Sequence, residues 1–170
     1  MNWFIFQKNI IGDDMKKLVL IFVCLLLFGC DKNIEKASIN IDRDMHGYYG
    51  YLIIPEVKIK LGFYNLDSKE NNVNKNVMLI DSKINNTYIL AAHSGSGRLA
   101  YFNDLRYLDV DDDIYLMFHN EEKHYKVTNV RKVIKNGKIS IKNEENQIIL
   151  TTCDQIKKGY QLIIEGSLIN

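Results

Sequence analysis

A cysteine and a histidine, each at the end of an apolar segment, are the residues of this chain best suited to nucleophilic chemistry. Cys153 ends the segment IILTTC, and His93 ends the segment YILAAH and is followed by the glycine-bearing loop SGSG. The thiolate of a cysteine is a strong nucleophile, and a neighbouring imidazole helps it to ionise and can carry protons. Because strand ends lie beside loops at the rim of a sheet, both side chains are well placed for a cleft.

The cysteine count supports a special role for Cys153. The chain has three cysteines, and the other two, Cys24 and Cys30, lie in an apolar N-terminal segment. Cys153 is therefore the only thiol of the domain that follows, and it has no intramolecular disulfide partner there. The other histidines are predicted to be ordinary surface residues: His46, His119 and His124.

Residues 1–29 are predicted to form a signal-peptide region and not to be part of the folded domain. Met15 is a more natural first residue of the signal peptide than Met1. From Met15 the chain reads MKKLVLIFVCLLLFGC, in which two lysines precede an apolar run of eleven residues. That run is shorter than the roughly 20 residues that cross a bilayer, and it is typical of a signal peptide. The Gly29-Cys30 end resembles the lipobox of bacterial lipoproteins, which implies lipidation of Cys30; the alternative is an uncleaved membrane anchor.

The rest of the chain divides into a tether and one domain. Residues 30–45 are polar and are predicted to connect the membrane to a domain at residues 46–170, on the extracytoplasmic face. The net charge is only +1 with both signs interspersed, so no nucleic-acid partner is expected. The cluster DVDDD at residues 109–113 lacks the spacing of an EF-hand, so we expect no metal and no cofactor.

The domain is predicted to be all-β. Short apolar or alternating segments recur between turn-forming residues, which indicates about eight strands and at most two short helices. The predicted strands are residues 49–54, 57–64, 77–80, 87–92, 114–118, 123–133, 147–152 and 160–168. The segment RLAYFNDLRYL breaks the alternation and is predicted to contain a short helix. The pattern alone leaves a barrel and a sandwich open.

Three stretches of the chain, in this order, resemble the sortase family. They are GYYGYLIIPEVKIKLGFY, YILAAHSGSGRLAYFNDLRYLDVDDDIYLMF and ILTTCD, and the last resembles the Thr-Leu-x-Thr-Cys signature with Ile149 in place of its first threonine. Sortases are cysteine transpeptidases that join surface proteins to the cell wall, or to each other, in Gram-positive bacteria. The resemblance implies a closed eight-stranded β-barrel.

The resemblance also implies a mechanism and its partners. Cys153 would attack the carbonyl after the threonine of a sorting-signal peptide similar to Leu-Pro-x-Thr-Gly. His93 would protonate the leaving amine and then activate an incoming amine, either of a cell-wall peptide or of a pilin lysine. The enzyme would be held at the membrane by its N-terminal anchor.

The chain departs from the family at the position of a catalytic arginine. The family has this residue at the start of its eighth strand, where the alignment puts Gln161, and no arginine follows Arg131. Losing a charged donor from an oxyanion site costs roughly 2–4 kcal/mol of transition-state stabilisation. Three replacements remain open: a lysine of the adjacent loop (Lys157 or Lys158), Arg98 in the loop after His93, or Gln161 with backbone amides.

Two alternatives to a transpeptidase follow from this departure. One is a catalytically weak protein with the same fold that binds sorting peptides. The other is a thiol hydrolase that uses the same Cys153 and His93 with water as the acceptor.

Overall fold

A computed structural model describes residues 47–118, 121–139, 141–142 and 144–169 of the chain. The predicted signal region at 1–29, the tether at 30–45, the lipidation site Cys30 and two histidines, His46 and His119, lie outside the described residues. In the described ranges no helix is both long enough and apolar enough to span a membrane.

The described residues form one sheet of eight strands, which confirms the predicted all-β fold. In chain order, β1 to β8 are Gly50–Ile54, Ile59–Phe63, Met78–Asp81, Tyr88–Ala91, Asp113–Met117, Glu122–Ile134, Gln147–Cys153 and Tyr160–Leu168. Two 3-10 helices are present in the same ranges, at Pro55–Val57 and Asn103–Tyr107. The second lies in the segment predicted to be helical, where apolar residues recur at three-residue spacing.

The sheet curves into a nearly closed barrel. The strand order is β2-β1-β5-β6-β8-β7-β4-β3, and the two edge strands approach each other at a single bridge between Phe63 and Val77. The eight described strands form seven pairs of neighbours, and all of these pairs are antiparallel except β4–β7, which is parallel. A near-closed barrel leaves few unpaired edge groups, as expected for short alternating strands.

The two faces of the sheet are both apolar along β7 and β8. Because side chains alternate along a strand, even-numbered residues such as Leu150 and Ile164 enter the main core inside the barrel. Odd-numbered residues form a second cluster on the outer face, at Ile89, Ile149 and Ile163. Residues of β6 and of the segment after it, including Val133, Ile139 and Ile141, cover this cluster. This outer face also carries the candidate site.

Candidate active site

Strand register puts His93 and Cys153 at the same end of neighbouring strands. β4 and β7 are parallel, with Ala91 opposite Thr151, and the pairing continues as Ala92 N–H donates to the carbonyl of Thr151 at 3.3 Å. The same offset of 60 residues carries His93 to the level of Cys153. The Thr152 hydroxyl donates to the carbonyl of Ala92 at 2.8 Å, which fixes the two strand ends to each other.

The sulfur of Cys153 contacts an ammonium group. Cys153 is half-buried at the end of β7, and its carbonyl accepts a hydrogen bond from the hydroxyl of Ser94. Lys135, which directly follows β6, donates from Nζ to the Cys153 Sγ at 3.2 Å. Sequence reasoning missed Lys135, because its approach to Cys153 depends on the pairing of β6, β8 and β7 and on no local motif.

His93 is held at its ring and at its backbone. Its Nε2 lies 3.2 Å from Oδ1 of Asn74, in the loop between β2 and β3, and its carbonyl accepts from the N–H of Phe102 at 3.0 Å. An amide oxygen only accepts hydrogen bonds, so this contact favours the tautomer in which Nε2 is the donor. In the described part of the chain, no hydrogen bond joins the side chains of His93 and Cys153, although both lie at the same rim.

Gln161 is paired directly with Cys153 but its amide is engaged elsewhere. The two residues are opposite each other in the β7–β8 pair, so both side chains are on the outer face. Gln161 is 8% exposed, and its Nε2 donates to the carbonyl of Lys138 at 3.1 Å. It therefore ties the segment after β6 to the sheet beside the thiol.

The other predicted cations are not on the sulfur. Nζ of Lys157 is 3.6 Å from the centroid of the Tyr160 ring, a cation–π contact. Lys158 and Arg98 are exposed in their loops. Among the described residues, Lys135 is the cation that contacts Sγ of Cys153.

A small, shallow cleft opens beside the thiol. The cleft is lined by two cationic side chains, and both are bound to partners. Lys132 Nζ is 3.0 Å from Oδ2 of Asp154, and Arg106 donates to Oε1 of Gln155 at 3.0 Å. The rest of the lining includes Cys153, Ser94 and Thr152. Phe102 and Leu162 also line the cleft, so it is an opening with both polar and apolar walls, and the thiol of Cys153 lies in one of them.

Asp154 stabilises the loop that joins β7 to β8. Its Oδ1 accepts from the N–H of Ile156 at 2.9 Å, and this hydrogen bond is the main reason that the pKa of Asp154 is lowered. Burial opposes the effect, and the ion pair with Lys132 adds to it. The side chain is therefore a charged anchor for the loop directly after Cys153.

The carboxylates of the acidic cluster at 109–113 form contacts within the turn before β5 and between β5 and β6. Asp112 caps the N–H of Asp109 at 2.7 Å, and Asp113 pairs with His124 and Lys126 at 2.6 and 2.8 Å. Within the described ranges, no group of three or more His, Cys, Asp or Glu side chains could hold a metal ion.

One rim of the barrel thus carries a thiol, an imidazole and an ammonium, a set of groups that enzymes with a cysteine nucleophile use. The sortase domain family model matches residues 52–169, and the chain belongs to the sortase family. This confirms the resemblance seen in the sequence.

Individual relatives agree with the family assignment. The chain is 25% identical over 139 residues to sortase A of Bacillus anthracis, and the match covers 79% of this chain and 65% of that protein, slightly less than two thirds. Its fold is similar to that of sortase C of Streptococcus pneumoniae, with a TM-score of 0.61 and 23% identity over 74% of this chain and 70% of the other. Sortase A of Listeria monocytogenes gives a TM-score of 0.60 and 22% identity over 73% and 88%.

Proposed function

We propose that this chain is a cysteine transpeptidase that cleaves a sorting-signal peptide and transfers the acyl part to an amine. The observation that carries the proposal is the parallel β4–β7 register, which brings the ends of both strands, and so His93 and Cys153, to one rim. Membership of the sortase family supports the same reaction class.

The first half of the reaction forms a thioester. The Cys153 thiolate attacks the carbonyl carbon of the scissile peptide bond, an S–C bond forms, and the carbonyl electron pair moves to oxygen. The resulting oxyanion collapses, the C–N bond breaks, and the leaving amine takes a proton from the His93 imidazolium.

The second half reverses these roles. An incoming amine attacks the thioester carbonyl and gives its proton to neutral His93, and the Cys153 thiolate leaves as the new amide forms. One difficult exchange of amides is thereby divided into two easier steps. Nothing is oxidised or reduced, so the reaction needs no redox cofactor.

The proposed substrate is a peptide similar to Leu-Pro-x-Thr-Gly, and the proposed acceptor is an amine of the cell wall or of another surface protein. One structural relative, the sortase C of S. pneumoniae, was described in terms of pilin substrate specificity. We also propose that the enzyme works on the extracytoplasmic face, held by lipid on Cys30 or by an uncleaved helix. These assignments rest on the sequence and on the family.

A binding protein without turnover is the second candidate. It is favoured by one observation: Gln161 is neutral, and its amide is bound to the backbone of Lys138. If no other group stabilised the oxyanion, the fold would hold sorting peptides and react with them slowly.

Mass spectrometry separates these candidates. The full chain in detergent is incubated with a set of sorting-type peptides, and the peptide that contains Cys153 is analysed for a thioester, with Cys153→Ala as the control. We expect an adduct on the wild type alone, and an added amine should convert it to an amide and not to the free acid. Binding without any adduct would establish the second candidate, and conversion to the acid in the presence of amine would indicate a hydrolase.

A further inference from the structure

The contact between Lys135 and Cys153 places a positive charge beside the sulfur atom that reacts in the proposed enzyme. Lys135 Nζ is 3.2 Å from Sγ, within hydrogen-bonding distance for a sulfur acceptor. Nothing in the sequence motifs assigns this lysine a role. Its position follows from the order and register of three strands.

Strand register explains why residue 135 reaches residue 153. Val133 of β6 is opposite Gln161 of β8, and Gln161 is opposite Cys153 of β7, so these three residues form one row across the sheet. Opposite residues point to the same face, and so does the residue two positions further along a strand. Lys135 is two residues beyond Val133 and is therefore on the outer face, diagonal to the thiol.

The backbone around Lys135 is fixed. Its N–H donates to the carbonyl of Gly159 at 2.8 Å, which extends the β6–β8 pairing by one step. A turn then follows, in which the Asn136 side chain accepts from the N–H of Lys138 at 3.0 Å and Gly137 has a φ of 77°. A left-handed φ of this kind favours glycine. The ordered backbone limits where the lysine stem can begin, while its four carbons let Nζ follow a moving acceptor.

The other cationic side chains near Cys153 contact other partners. Lys132 is paired with Asp154, Arg106 donates to Gln155, and Lys157 lies over the Tyr160 ring. By contrast, Lys135 makes no ion pair with a carboxylate in the described part of the chain, and its ammonium is free to act on the sulfur.

We propose that Lys135 is a catalytic residue: its ammonium stabilises negative charge on the Cys153 sulfur and on the oxyanion that forms at the carbonyl carbon attacked by that sulfur. The proposal rests on the proposed function for the oxyanion, but its effect on the thiol requires no substrate. The lysine supplies, from the end of β6, the cation that Gln161 does not supply from β8. As a point charge, it can stabilise the oxyanion without the two-pronged geometry of an arginine.

A substrate-free experiment tests the effect on the thiol. The full chain is treated with iodoacetamide at pH 7 and low salt, and the rate of alkylation is read by mass spectrometry on the fragment that contains Cys153. Lys135→Met should lower this rate about tenfold, since it removes the positive charge that lies 3.2 Å from the reacting sulfur. Lys135→Arg should keep it within about threefold of the wild type, because the charge is retained.

Lys157→Met is the matched control, since it removes a lysine from the same rim that contacts a ring and not the sulfur. We expect it to leave the alkylation rate unchanged. An unchanged rate in Lys135→Met, or an equal loss in Lys157→Met, would overturn the proposal. Loss in Lys135→Arg as large as in Lys135→Met would also overturn it, because charge would then not be the cause.

The peptide reaction tests the oxyanion role separately. With a sorting peptide that acylates the wild type, Lys135→Met should form the thioester about 100-fold more slowly, the range seen when one oxyanion donor is removed. A loss no larger than the loss in alkylation would overturn the oxyanion role. If no peptide acylates the wild type while alkylation still depends on Lys135, the proposed function fails and the effect on the thiol stands.

Discussion

The contact between His93 and Asn74 shows how a residue outside the sheet can orient the side chain proposed as the acid and base of the reaction. Asn74 belongs to the loop between β2 and β3, 19 residues before His93, and its Oδ1 lies 3.2 Å from Nε2 of His93. An acceptor beside Nε2 orients the ring and favours the tautomer in which that nitrogen is the donor. We therefore regard Asn74 as a positioning residue for His93.

Replacing Asn74 by alanine should slow the proposed transfer. Loss of one hydrogen bond of about 0.5–1.5 kcal/mol corresponds to a roughly 2- to 12-fold lower kcat. The KM for the peptide should stay unchanged, because Asn74 acts through His93, and Asn74→Gln or Asn74→Asp should restore part of the rate if its longer or charged acceptor still reaches Nε2.

The matched control is Asn65→Ala, an exposed asparagine of the same loop whose side chain accepts from the N–H of Leu66. Its kcat should equal that of the wild type. A fall in kcat for both variants, together with a lower melting temperature, would mean that the loop matters only for folding.

For individual residues, the sequence predicts the proposed nucleophile and imidazole but not the side chains that contact them. Cys153 and His93 stand out because each ends an apolar strand, and their roles stay predictions until the reaction is measured. Asn74 is one of several asparagines in a polar loop, and only the folded chain shows which one meets the ring. Lys135 is likewise one lysine among many, and three strand pairings are needed to locate it.

The loop between β7 and β8 depends on Asp154. This carboxylate accepts from the N–H of Ile156 and pairs with Lys132, and both contacts favour its charged form. Its pKa is lowered from 3.8, most strongly by the backbone hydrogen bond. A carboxylate with a lowered pKa in the folded state stabilises that state above its unfolded pKa and loses the effect as the pH falls through the folded value.

Asp154→Ala should therefore loosen the loop at neutral pH. Hydrogen exchange at residues 154–159 should become faster in the variant at pH 7, and the difference from the wild type should shrink below about pH 4 as Asp154 is protonated. Mass spectrometry of exchanged fragments measures this.

Asp112→Ala serves as the control, because it removes a similar carboxylate cap from the turn before β5. It should affect exchange around residue 109 and leave the β7–β8 loop unchanged. Equal exchange of the loop in wild type and Asp154→Ala would show that the carboxylate does not anchor it.

The eight strands were predicted closely, because each alternates or is continuously apolar and is bounded by polar turns. The span of β8 agrees with the prediction from the sequence, and β7 ends at Cys153, one residue later than predicted. The exact closure of the sheet was not predictable from local pattern. It depends on a strand order in which β6 lies between β5 and β8, and such pairings join residues distant in the chain.

Close packing of strands against one another determines which glycines the barrel requires. A Cβ at Gly50 would lie 2.6 Å from Cζ of Phe63 and 2.8 Å from the carbonyl oxygen of Met117. The second contact is with backbone of β5, so the paired strands would have to move apart.

Gly50→Ala should lower the free energy of unfolding by about 1–3 kcal/mol, the usual effect of overpacking. Gly97→Ala is the control, since a Cβ there meets nothing within 4 Å. Urea denaturation followed by fluorescence measures both. A Gly50→Ala midpoint equal to that of Gly97→Ala would show that the strands absorb the extra methyl group without strain.

A polar cluster on the outer face links β6 to β8 and should make the barrel sensitive to acid. Glu165 accepts from Arg131 at 2.7 Å and from Asn129 at 2.8 Å. Burial alone would raise the pKa of Glu165, but these donors lower it overall from 4.5. The stabilising effect is thus present above pH 4.5 and is lost as the pH falls below it.

Glu165→Gln should destabilise the protein by about 1.5–3 kcal/mol at pH 7, the range for hydrogen bonds to charged groups. At pH 3 the difference from the wild type should be much smaller, because the wild-type carboxyl is then losing its charge. Urea denaturation at the two pH values measures this, with the exposed Asp67→Asn as control. A constant difference at both pH values would contradict the role of the charge.

The parallel pairing of β4 with β7 also affects the order in which the parts of the barrel fold. Its partners are 60 residues apart, whereas β1–β2, β5–β6 and β7–β8 join neighbours in the chain. Contacts between distant residues close large loops and form slowly. The hairpins can therefore form before His93 and Cys153 share a rim, and a refolding chain should recover its thiol chemistry in the last kinetic phase, together with the native barrel.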